Sequence, residues 1–136
     1  MTRVARLRGA AAIVAADPPE IVAGDLLERL TDVAADAPAG ATLVVYHSAV
    51  LLYLDDRQRR SFADLVTGLG AAIGRRVVWI SNETMGTLPE IDAQVPHDAD
   101  ASHRFVQTID ARAVAFAGQH GALYETLPFR APGRTP

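Results

Sequence analysis

His47 and Glu83 are the side chains of this sequence best suited to moving a proton. An imidazole titrates near neutrality, and a carboxylate within hydrogen-bond reach of it makes an acid/base pair. Each follows an apolar, β-branched run that reads as a strand: Thr42-Leu43-Val44-Val45-Tyr46 before His47 and Ser48, and Val77-Val78-Trp79-Ile80 before Ser81, Asn82 and Glu83. Open parallel sheets keep their ligands outside the carboxyl ends of the strands, so polar residues at those points are the natural candidates. Four groups meet that description: Asp25 after a short run at residues 20–23, His47 with Ser48, Asn82 with Glu83, and His120 in a later turn.

Each has a plainer alternative. Asp25 is fully accounted for as a helix cap. His47 reads equally as a buried histidine bonded to a carbonyl, Asn82 as a strand end, Glu83 as a surface carboxylate and His120 as a turn residue. Ser48 lacks the Gly-x-Ser-x-Gly surroundings that expose a nucleophile. His97 and His103 stand at no spacing that suits a metal, and none is expected.

The elements that must position these residues follow from periodicity. Val4, Leu7, Ala11 and Val14 predict an amphipathic helix that stops before Asp17-Pro18-Pro19. Residues 20–23 predict a short strand. Asp25-Leu26-Leu27-Glu28 has capping-box form and opens a second helix that ends near Pro38-Ala39-Gly40. Residues 41–46 predict a central strand covered on both faces, because their apolar character is nearly unbroken. Asp55 and Gln58 box the start of a helix carrying Phe62, Leu65, Val66 and Leu69 on one face. With the strand at 77–80 it completes a βαβ crossover. Trp79 and Tyr53 are expected in the core. Residues 83–102 dissolve into Gly, Pro and acidic residues and predict a long loop, either a lid or slack. Alternating runs at 105–109, 113–116 and 122–127, with turns at 110–112 and 118–121, predict an antiparallel meander. The expected architecture is one α/β domain over residues 1–127, a short parallel sheet ending in a meander, with 128–136 as a flexible tail.

Composition narrows the function classes. The 136 residues fit one domain, and cysteine is absent, which removes disulfides, zinc-thiolate sites and thiol nucleophiles. All 13 basic residues are Arg, which excludes Schiff-base chemistry and a P-loop lysine. A net charge of −3 argues against nucleic acid as a partner. No apolar run reaches the ~20 residues a membrane helix needs, and the lack of cysteine suits a reducing interior, so the expected location is the cytoplasm.

Pro18 to Leu26, Thr42 to Leu54, Val77 to Glu83 and the closing His120-Gly121 together resemble the C-terminal part of the DUF2332 family of bacterial proteins. That resemblance implies a Rossmann-like, methyltransferase-like half sheet and, as cofactor, S-adenosylmethionine. Gly24, Asp25 and Leu26 would then approach its adenine, and His47 with Ser48 would face substrate. Longer members carry a Gly-rich strand-to-helix turn upstream of this region, and this sequence has none. The expectation is a domain that is non-catalytic alone. Its partners would be a small molecule at the strand ends, or an upstream polypeptide or second copy that completes the sheet.

Overall fold

The computed structural model describes residues 2–127. Helix α1 (Arg3–Ala16) is capped by Thr2, whose side chain accepts from the Ala5 amide. Residues 17–24 follow without regular structure and lead to α2 (Leu26–Ala35). Strand β1 (Leu43–Ser48), a 3-10 turn (Leu51–Tyr53) and the long helix α3 (Asp56–Ile73) come next. Then follow β2 (Val77–Thr84), the one-turn helix α4 (Pro89–Asp92), β3 (Arg104–Ile109), β4 (Arg112–Gly118) and β5 (Tyr124–Thr126).

The strands form one open sheet in sequence order, β1-β2-β3-β4-β5. Among the described strands only β1 and β2 are parallel, with Val45 opposite Trp79 and Tyr46 opposite Ile80. All later pairs are antiparallel, so the expected βαβ unit and meander are both present. The β3–β4 hairpin turns through Asp110 and Ala111, both at positive φ (48° and 60°), as a two-residue turn between twisted strands requires. Asp110 steadies this turn, because its Oδ1 accepts from the Trp79 amide of β2 at 2.8 Å.

The core lies on one side of the sheet. Because pairing residues share a face, Val45 of β1, Trp79 of β2, Val106 of β3 and Phe116 of β4 point the same way. They meet Ala34 of α2, Phe62, Val66 and Leu69 of α3 and Ile91 of α4 in a single apolar cluster. Helix α3 holds its position through both halves of the Asp55–Gln58 capping box and through Gly74, which ends it at φ 67°. The other side carries Val44 and Tyr46 of β1, Val78 and Ile80 of β2, Phe105 and Ile109 of β3, Ala115 and Ala117 of β4 and Tyr124 of β5. Phe105 and Ala115 are buried there, but neither joins the core cluster.

Several expectations are corrected. Residues 20–23 form no strand: they pair with nothing, and Ile21 is 88 % exposed. With no neighbouring strand beside it, a four-residue segment leaves its amides and carbonyls to water rather than to a ladder. Residues 43–48 are therefore an edge strand and not a central one, and exposed Val44 and Tyr46 show that only one of its faces is covered. Tyr53 is exposed on the 3-10 turn and not in the core. The stretch from 83 to 102 is neither lid nor slack, since β2 runs on to Thr84 and Leu88, Ile91 and Val95 are core residues. Asp25 caps α2 through the Leu27 amide and not through the predicted box with Glu28. Helix α1 forms where the spacing put it, yet none of its residues is buried. The tail at 128–136 lies outside the described residues.

Candidate functional site

His47 and Glu83 come together. His47 stands opposite Ser81 in the parallel register, and Glu83 is two residues further along β2, so both side chains lie diagonally on the core face. His47 Nδ1 is 2.7 Å from Glu83 Oε1, with the two residues 6 % and 4 % exposed. The partner of the other ring nitrogen fixes the tautomer. An indole N–H only donates, and that of Trp79 lies 2.9 Å from His47 Nε2, so Nε2 accepts and Nδ1 carries the proton donated to Glu83. Phe62 meets the imidazole edge-on at 5.1 Å between ring centres, and Trp79 meets Phe62 edge-on at 6.1 Å.

Glu83 gathers more than the histidine. Its Oε1 also accepts from the Val50 and Leu51 amides, at 2.9 and 3.2 Å, at the start of the 3-10 turn. A carboxylate oxygen is suited to this because it takes several donors at once, each bond stronger for the charge. The chain reaches those amides through Ala49 at φ 53°, a left-handed conformation that costs a non-glycine residue about 1–2 kcal/mol. The network therefore clamps the loop after β1 onto β2. Glu83 Oε2 and Thr108 Oγ1 have no partner among the described residues. Both residues border a cavity of about 10 Å³ beneath α4, the size of one water.

The remaining candidates do not join this pair. Asn82 alternates to the opposite face of β2, where its Nδ2 donates to Ser48 Oγ at 3.0 Å and its buried Oδ1 has no partner among the described residues. His120 is exposed in the β4–β5 turn. That turn lies at the same end of the sheet, but β4 is two strands from β2, roughly 10 Å at ordinary strand spacing. Gly24, Asp25 and Leu26 open α2, and the strand that was to carry them to a shared rim does not form. A Cβ at Gly24 would meet the Arg29 side chain at 2.5 Å, so its backbone faces that side chain rather than an open cradle. The residues present thus do not fit the glycine-lined turn that S-adenosylmethionine needs. No group of three His, Asp or Glu residues suited to a metal occurs among the described residues.

Trp79 is the participant that periodicity alone misses, because it reads only as core. It is core, and it also supplies the hydrogen bond that fills His47. A larger groove of about 470 Å³ lies between α3 and the segment from Gly86 to Ile91, with Trp79 at its floor and Arg59, Arg60, Asp64 and Glu90 at its rim. Asp92, which holds the Gly86 amide, has its carboxyl raised above the ordinary value, chiefly by burial.

No described helix is long and apolar enough to cross a membrane. Neither a curated protein nor a solved structure matches the chain. One family profile does, over residues 1–125, so the chain belongs to DUF2332, a family of uncharacterised proteins conserved in bacteria.

Proposed function

We propose that this chain works by assembly and not by catalysis, as half of an α/β sandwich whose second layer is a helical surface supplied by a second copy. The observation that carries this reading is the uncovered side of the sheet. Val44, Tyr46, Ile109 and Tyr124 are exposed there, with Tyr46 at 62 %. An apolar sheet face in water is ordinarily covered by another layer, and contiguous exposed apolar surface marks an interaction site.

The acid/base pair supports the same reading. His47 has spent both nitrogens inside the protein, and the Glu83 oxygen that bonds it already holds two backbone amides. Such a pair fixes a loop and offers a substrate no free nitrogen. The parallel β1–α3–β2 unit supports the methyltransferase-like kinship implied by the family resemblance. Even so, the segment before α2 lacks the glycine turn for the cofactor, which is consistent with a non-catalytic domain.

Light scattering over a wide concentration range tests the proposal. The mass should rise from one chain to two, and Tyr46→Glu, which puts a charge on the exposed face, should hold the protein monomeric with unchanged circular dichroism. A wild-type chain that stays monomeric at the highest attainable concentration would overturn it.

A further inference from the structure

Among the described residues two surfaces lack a partner, and they are similar in length and both carry exposed apolar side chains. Helix α1 has no buried residue, although Val4, Leu7, Ala11 and Val14 line one side of it, with Leu7 70 % exposed, and Ile13 on the opposite side is 72 % exposed. A lone helix of this length is marginal in water, because helices in proteins draw most of their stability from packing an apolar face. Its 14 residues make a rod about 21 Å long, close to the ~20–27 Å of the six- to eight-residue strands β1 and β2. The uncovered face of that sheet is the second surface.

We infer that α1 of one copy docks on the uncovered sheet face of another, in a reciprocal exchange that buries both surfaces twice. This rests on the assembly reading above and names the element that does the covering. The connection to the rest of the chain suits it: residues 17–24 make no ladder, and Pro18-Pro19 stiffens them toward an extended form that holds α1 away from its own sheet. At about 3.3 Å per residue those eight positions reach roughly 26 Å, enough to cross to a neighbour. The area is adequate as well. Two helical footprints, each ~21 Å by ~10 Å, bury on the order of 1,000 Å² once both partners' corrugated surfaces are counted, which is where specific interfaces begin.

The absence of cysteine makes the test clean. Ala11→Cys places a thiol on α1, and Val44→Cys or Ala117→Cys places one on the uncovered face. Mixing singly substituted chains under mild oxidation should give disulfide-linked heterodimers of an α1 variant with a face variant. Leu7→Arg with Val14→Arg should leave a folded monomer, since neither residue touches the core. Three results would overturn the exchange. In the first, a chain carrying Ala11→Cys and Val44→Cys links only to itself, so α1 covers its own sheet. In the second, the dimer is lost in Tyr46→Glu but survives the α1 double variant, so the assembly reading stands and the exchange falls. In the third, wild-type chains stay monomeric and do not cross-link, and both fall together.

Discussion

On one side of the sheet Val45, Trp79, Val106 and Phe116 lie under three helices and are buried; on the other, Val44, Tyr46, Ile109 and Tyr124, drawn from the same strands, are exposed. The two sides have similar apolar character, but the second is buried chiefly around Asn82, Phe105 and Ala115. Most of the buried apolar surface therefore lies on the first side, while the exposed positions of the second are free to change without unfolding the chain. Substitutions on the two sides should separate cleanly, and changes at three positions, taken from the largest expected effect downward, probe that separation.

Phe62→Ala strikes the covered side where His47, Phe62 and Trp79 pack edge to face. Losing a buried phenyl ring and leaving a cavity should cost about 3–5 kcal/mol, read from the midpoint of urea unfolding. A loss below about 1 kcal/mol would mean that the ring cluster is not the centre of the core, and the contrast between the two sides would be gone.

Glu83→Leu tests whether the polar part of that side is structural. It strands three donors, the buried His47 Nδ1 proton and Leu51 amide and the part-buried Val50 amide, and should cost about 3 kcal/mol. Glu83→Gln keeps an acceptor in the same place and can turn its amide nitrogen toward Thr108, so its loss should be at most about 1 kcal/mol. If the two variants are equally unstable, the negative charge and not the acceptor geometry holds the loop after β1.

The two sides also explain what was legible in the sequence. The covered side wrote a clear signal: Phe62, Val66 and Leu69 at helical spacing, the Asp55–Gln58 box, and the β-branched runs that became β1 and β2. The meander was legible because alternation and turn residues are local. What was not legible depends on partners. Residues 20–23 have strand-like composition but no neighbour to pair with, and no property of the segment itself reveals that. The run from Leu43 to Tyr46 has the unbroken apolar character of a strand covered twice, yet it is covered once. That misfit is what the proposed assembly accounts for, since it would give the strand a second covering layer. The His47–Glu83 contact was foreseeable from two residues after parallel strands. The part of Trp79 in it was not, because hydrophobicity gives no direction to an indole N–H.

Tyr46→Thr should have the smallest effect on folding and a marked one on association. The side chain is mostly exposed on an edge strand, and threonine, being β-branched, suits a pleated surface as tyrosine does, so the unfolding free energy in dilute solution should move by no more than about 0.5 kcal/mol. Concentrated solutions should behave otherwise. If that face is where a second chain lands, removing its aromatic ring should lower the fraction of dimer seen by sedimentation, because aromatic residues carry much of the energy at the centre of an interface. A variant that loses stability even when dilute would show that Tyr46 is supported within its own chain, and that the second side of the sheet is less bare than its exposure implies. One that leaves both folding and association unchanged would place the landing site elsewhere on the face, toward Ile109 and Tyr124.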